Sequence, residues 1–422
     1  MPFDPEVNQM IENADVVVVG GGVMGLSVAY QLARRSNLKI ILLEKGAGIG
    51  EGSTGTSSAV CRYRYSFDEM VRLARDGINT YTHWSEFTGV KVPRAEYHND
   101  GVLWMPGQDL HWAAKEHKRM TRLGVKTEVL DDQMVSERYP GLSLCTIAPD
   151  RLSGEGHDCE TGGQHYFESG GGYIDPVAVA EDLAEACRRE DVDIRYNICV
   201  DKVESLASQV TGVRMIDGEV INTPRVVNAA GPWCNRLFSA IGLEVPWTLE
   251  PTRVQILYLD RPEELKGSLP VCEDFAGGIY FCLQNRGQQI VVGSLREEDE
   301  QERVDSLDKF NRFADDEFLH PTLHALHHRL PDLPYRGKVR GYCGLYTMNR
   351  EDVHPIVGET PVEGFFVVNG FSGHGFKLAP AIGALLARQI TGEDREGDPE
   401  IPDEFLAYDR APLVLESKSV LA

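Results

Sequence analysis

The sequence has no long uninterrupted apolar run, no closely spaced cysteine pair and few basic residues, and each lack removes a class of protein. The longest apolar stretch, Val16 to Tyr30, is broken by glycines and too short to span a bilayer, so no transmembrane segment is expected. The nine cysteines are scattered and odd in number, with no C-x-x-C pair. That spacing argues against a disulfide framework or a zinc cluster and for a reducing, cytoplasmic setting. Histidines supply no metal pattern either. His111 and His117 lack a third ligand, and His324 and His328, at i and i+4, lack the Glu of a zinc-protease motif, so no metal is expected. Lys and Arg number 42 against 65 Asp and Glu, and the formal charge of −23 disfavours nucleic acid or an anionic membrane as partner. Met1 to Asn13 is acidic, with neither a basic n-region nor an apolar h-region, and predicts no signal peptide. Internal repeats and low-complexity segments are missing as well.

The 422 residues, 42% hydrophobic and 25% charged, leave room for two domains with sizeable cores. Four valines, Val16 to Val19, read as a strand buried on both faces, as in a parallel sheet. Gly20, Gly22 and Gly25 follow as G-x-G-x-x-G. The first permits the turn, the second lets backbone approach a pyrophosphate, and the third lets a helix sit close to the sheet. From Val23 and Met24 onward the pattern is helical, which places unpaired N–H groups and the positive helix end against phosphates. Ile40 to Leu43 is a second buried strand ending at Glu44, whose carboxylate suits ribose hydroxyls and repels a 2′-phosphate. Together these elements predict dinucleotide binding.

Beyond Glu44 and Lys45 lies a small, polar loop carrying Ser53, Thr54, Ser57 and Ser58, then Arg62 and Arg64 among tyrosines. Ser66 and Glu69 read as a capping box ahead of a helical stripe from Met70 to Trp84. Val102 to Met105 reads as a strand, Asp109 to Leu123 as a polar helix and Ile194 to Val203 as a strand. Asp217-Gly218 joins a hairpin. Arg225 to Trp233 is again a buried strand running into glycine, and Val254–Leu259 and Ile290–Val292 look like a second, antiparallel sheet. The string Val367 to Lys377 is strand, glycine turn and helix start, with a lysine that needs an anionic partner if buried.

With these residues in view, the chain resembles the flavin-dependent amine oxidoreductases of the D-amino acid oxidase group, in the sarcosine oxidase and dimethylglycine dehydrogenase branch. The resemblance rests on the glycine triplet ending in Glu44, on Gly52-Ser53-Thr54-Gly55 through Arg62, on Asn228-Ala229-Ala230-Gly231-Pro232-Trp233, and above all on Gly370-Phe371-Ser372-Gly373-His374-Gly375-Phe376-Lys377. It implies FAD, and an α/β fold in which a discontinuous Rossmann-like FAD domain (1–92, 152–245 and 336–422) carries a smaller antiparallel α+β substrate domain (93–151 and 246–335). FAD would meet Gly20, Gly22, Val23, Met24, Gly25, Glu44, Lys45, Ser53, Thr54, Ser57, Ser58, Val203, Ala230, Gly231, Trp233, Gly344, Gly373, His374, Gly375, Phe376 and Lys377. Arg62 and Lys377 would hold a substrate carboxylate, while Tyr280, Tyr346 and His374 would shape the pocket.

Two departures from the family pattern accompany it. Gly344 stands where monomeric sarcosine oxidases attach their flavin through cysteine, and Cys343 sits one residue early, so FAD is expected to be non-covalent. Val291 stands where the family carries an oxygen-activating lysine, which disfavours fast reaction with oxygen and points to another electron-accepting partner. The resulting expectation is oxidation of a small anionic amine, an amino or N-methylamino carboxylic acid, by hydride transfer to flavin N5 and hydrolysis of the imine. A flavin-dependent 2-hydroxy acid dehydrogenase and a non-catalytic FAD-binding subunit or assembly factor remain as alternatives.

Overall fold

Valine is β-branched and favours extended backbone, and Val16–Val19 forms a strand in which all four side chains are buried. Burial on both faces requires cover on both sides of the sheet, and the computed structural model supplies it. The structure describes residues 12–109, 111–263, 265–334, 339–415, 418 and 421, so most of Met1–Asn13 and position 110 of the polar helix lie outside it. A six-stranded sheet runs in the order Ile356–Glu359, Phe365–Asn369, Val226–Asn228, Val16–Val19, Ile40–Leu43, Asp193–Arg195. It is parallel except at the Ile356–Glu359 edge. Val16, Val18, Ile40 and Leu42 face helices, whereas Val17, Val19, Ile41 and Leu43 face a four-stranded sheet and the helix Cys234–Ile241.

The helical side is closely packed. A Cβ at Gly383 of the terminal helix Gly375–Thr391 would stand 2.7 Å from the Ser27 carbonyl carbon of the first helix, Val23–Arg35. A Cβ at Gly77 would stand 2.1 Å from the Lys377 carbonyl oxygen. The helix Asp68–Thr82 thus closes on the terminal helix, and Tyr81 donates from its hydroxyl to the Phe376 carbonyl at 2.7 Å.

The second large sheet has eight strands: Arg340–Asn349, Leu249–Asp260, Gln289–Ser294, Ile279–Gln284, Val271–Asp274, Val102–Met105, Gln164–Glu168, Thr127–Asp131. Val271–Asp274 and Val102–Met105 are parallel, and the other pairs are antiparallel. On one face lies the helix Asp316–Arg329, anchored by a buried Arg329–Asp274 ion pair at 2.6 Å. Removing either partner would strand a charge, at a cost of about 3–5 kcal/mol.

Gln164–Glu168 and Arg340–Asn349 are strands of the eight-stranded sheet. The structure departs from the expected elements in two places. Ile194–Val203 is not one strand. Asp193–Arg195 ends the parallel sheet, and Val200–Leu206 begins pairing in the four-stranded one. The capping box does not form, because the helix starts at Asp68 with Phe67 at the N-cap, where that ring packs against His354 and Phe405. Asp217-Gly218 does turn a hairpin, with Gly218 at φ +93°. Among the described residues, no helix is long and apolar enough to cross a membrane.

Candidate active site

At the head of the parallel sheet, Gly20 takes φ +117°, and a Cβ there would lie 2.4 Å from the Ala229 carbonyl oxygen. A Cβ at Gly25 would lie 1.9 Å from the Gly20 carbonyl oxygen. Both positions exclude side chains by contact with the protein itself. Gly22 differs, since among the described residues only the Thr54 hydroxyl, at 3.2 Å, would approach its Cβ. The emptiness beside Gly22 belongs to a cavity of about 780 Å³ that also touches Val23, Met24, Ser53, Thr54 and Ser57. The N-cap at Gly22 has no side-chain hydrogen bond, while Thr54 accepts from the Val23 N–H at 3.0 Å. This helix terminus over an open glycine has the backbone approach and the room that a diphosphate requires.

One end of the cavity is set by Glu44. Its oxygens accept from the Gly21 N–H at 2.7 Å and the Gly46 N–H at 2.6 Å, which fixes the carboxylate and leaves each oxygen a further lone pair for a sugar hydroxyl. Lys45 leans 3.5 Å above the Trp233 ring and bonds Asp308 at 2.9 Å, so it closes a wall there. Ala230, Gly231 and Trp233 complete that wall. Val203 does not reach it. Its side chain is buried between sheets, and Ile198, Cys199 and Val200 line the cavity instead.

The far end is formed by the eight-stranded sheet. Ser53 donates to the Leu345 carbonyl at 2.5 Å, tying the polar loop to that sheet. A Cβ at Gly344 would meet the Thr56 hydroxyl at 2.3 Å, so the family's cysteine position faces protein. Cys343 points to the opposite side, its thiol donating to the Phe313 carbonyl at 3.1 Å, and burial pushes it up to about 11. Tyr280 pairs with Gly293 and Glu273 on neighbouring strands. A Cβ at Gly293 would stand 2.3 Å from the Tyr280 ring, so glycine lets the ring lie across the sheet. The phenol then reaches the Ser58 hydroxyl at 2.9 Å. Tyr346 lines the cavity, and burial raises both phenols above their ordinary range. Val291 packs with Tyr280, Ile256 and Leu295 in an apolar cluster. Arg296 is turned away to Glu298 at 3.4 Å.

Gly373, Gly375 and Phe376 line the cavity, and Lys377 lies one residue beyond. The Arg62 guanidinium carbon lies 4.7 Å, and the Lys377 ammonium 5.7 Å, from the centroid of the buried Tyr65 ring. His374 stacks edge-on to the same ring at 5.2 Å. Two carboxylates that the sequence did not single out belong to this cluster. Glu273 lies 4.0 Å from Arg62, and Glu168 accepts from the Tyr63 and Arg64 N–H groups at 2.7 and 2.9 Å. Burial pushes both up to about 7, Glu273 against the pull of Arg62 and Lys377. Burial and the Arg62 cation push Lys377 down to about 7. Strand alternation carries the only signal for Glu273, which shares a sheet face with Tyr280.

The sequence profile of the FAD dependent oxidoreductase family (DAO) matches residues 15–389, and the chain belongs to that family. It is an FAD-dependent oxidoreductase. FAD-dependent oxidoreductase domain-containing protein 1 of Xenopus laevis is 24% identical over an alignment of 428 residues, covering 92% of this chain and 81% of that protein. Mitochondrial dimethylglycine dehydrogenase of Homo sapiens is 27% identical over an alignment of 286 residues, covering 66% of this chain and 30% of that protein. Among solved structures, L-proline dehydrogenase from P. horikoshii superposes with a TM-score of 0.79 at 22% identity, covering 94% of this chain and 98% of its own.

Proposed function

We propose that this enzyme oxidises an amino or N-methylamino carboxylic acid to the imine, which then hydrolyses. FAD would be held at Gly20, Gly22, Glu44 and the Ser53–Ser58 loop. When bound, it supplies a two-electron acceptor for the hydride equivalent leaving the substrate C–H. The chain's own part is positioning. Arg62 and Lys377 hold the carboxylate, Tyr280 and Tyr346 roof the pocket as neutral phenols, and His374 backs Tyr65. Fixing the reacting C–H this way lowers the barrier by about 7 kcal/mol or more. No strong base is needed, because the amine reacts in its neutral form.

The observation that carries this reading is the pair of buried cations on one tyrosine ring. An ammonium held down near 7 is incompletely charged until an anion arrives, and a substrate carboxylate supplies that anion. FAD is non-covalent in this proposal, because Gly344 faces Thr56 and Cys343 faces Phe313. The acceptor in this proposal is a carrier other than oxygen, because Val291 stands in an apolar cluster with Tyr280, Ile256 and Leu295. A carboxylate inhibitor tests the binding mode. A simple aliphatic acid should perturb the flavin spectrum of the wild type and bind at least tenfold more weakly to Lys377→Met. Equal affinity for both proteins would remove the clamp.

A further inference from the structure

The expectation that no metal binds rested on spacing along the chain, and folding changes the spacing. Cys145, His157, Cys159 and His328 come together with one ligand atom each, all within 4.8 Å of one another. Cys145 follows the helix Asp132–Arg138, His157 and Cys159 lie on the long irregular loop before Gln164, and His328 projects from the helix Asp316–Arg329. The Cys145 thiol and His157 Nε2 are 3.2 Å apart, and the His157 and His328 rings are 5.2 Å apart, centroid to centroid.

Both ring nitrogens of His328 are buried without a hydrogen-bond partner, a costly state that ligation of one nitrogen relieves. His324, one turn earlier, is not part of the cluster, for its Nδ1 meets the Arg151 carbonyl at 2.9 Å. Two of the four ligands sit on a rigid frame. Arg329, next to His328, donates to the Cys145 carbonyl at 2.6 Å while paired with Asp274.

We propose that these four residues bind one zinc ion in a closed Cys₂His₂ site. Two thiolates and two imidazoles are a soft-to-borderline donor set that suits zinc and not calcium or magnesium. Zinc–sulfur bonds of about 2.3 Å and zinc–nitrogen bonds of about 2.1 Å set tetrahedral ligand separations of roughly 3.4–3.8 Å, so contraction by about an ångström completes the site. Four protein ligands leave no open position, which makes the metal structural. Binding would displace the two thiol protons to solvent with no change in oxidation state.

The zinc would pin a loop that has neither helix nor strand from 146 to 163, a length unusual without a staple. That loop also buttresses the substrate sheet. Arg151 donates to the Gly277 and Gly278 carbonyls, at the turn entering the strand that carries Tyr280.

The test uses the full-length, FAD-loaded protein carrying no polyhistidine tag. Metal analysis by plasma mass spectrometry after gel filtration should give about one zinc per chain, and the variants His157→Ala and Cys159→Ser should each lose most of it. Both positions are exposed, so flavin absorbance should stay at the wild-type level and certify folding. Cobalt substituted for zinc should give intense visible bands of a tetrahedral site and a thiolate charge-transfer band, absent from Cys159→Ser. Zinc that stays undiminished in both variants would overturn the proposal. So would a wild type that retains no metal after loading with zinc chloride and instead shows Cys145 joined to Cys159 in a disulfide by mass spectrometry of tryptic peptides.

Discussion

Replacing Lys377 with methionine keeps much of the side-chain bulk and removes its charge. A charge-assisted hydrogen bond to a carboxylate is worth about 1.5–3 kcal/mol, so kcat/KM for an amino acid should fall by roughly one to two powers of ten. The loss should depend on pH in a stated direction. Burial holds Lys377 down to about 7 in the free enzyme, and kcat/KM reports groups in free enzyme. Below that value the wild-type lysine is charged and the full deficit appears. By pH 9, about one lysine in a hundred is charged, and the wild type approaches the variant. Titration of the substrate amine affects both proteins equally and cancels in their ratio. The assay is steady-state turnover with a dye acceptor from pH 6 to 9, using an amino acid and its decarboxylated amine. The ratio of wild type to variant should shrink toward unity with rising pH for the acid and stay near one for the amine. A ratio independent of pH, or the same for acid and amine, would refute the role given to Lys377.

Gly22→Val should yield protein purified without colour, because the branched side chain fills the space over the helix terminus; normal FAD content would contradict a diphosphate there. Trichloroacetic acid should release all flavin into the supernatant, since neither Gly344 nor Cys343 offers a thiol to the cavity, and a yellow pellet would refute this. Substrate-reduced enzyme mixed with air-saturated buffer should reoxidise more slowly than it turns over with dye. Val291→Lys should accelerate that step, and reoxidation as fast as turnover in the wild type would make oxygen the natural acceptor.

The dinucleotide half of the site was legible because its chemistry is backbone chemistry. Gly20 and Gly25 are required by contacts within a few ångströms of main chain, and such constraints are written locally. Glu44 was legible for a similar reason, being the residue directly after the strand Ile40–Leu43 and next to the turn. The cation cluster was half legible. Arg62 and Lys377 stand beside glycine-rich turns, but Glu273 and Glu168 approach them from the other sheet, and strand register across that sheet is not readable from a single sequence. Val203 failed on geometry: a strand break after Arg195 shifts the cavity wall to Ile198–Val200. The cysteine and histidine cluster was invisible for a related reason, since His328 joins Cys145 from a helix far along the chain.

The most direct measurement of the central claim is anaerobic mixing of the FAD-loaded enzyme with amino, N-methylamino and 2-hydroxy acids while following flavin absorbance. At least one amino or N-methylamino acid should bleach the flavin within seconds and leave an aldehyde or keto acid equal in amount to the flavin reduced. Bleaching by 2-hydroxy acids alone, or by none of the compounds, would contradict the account.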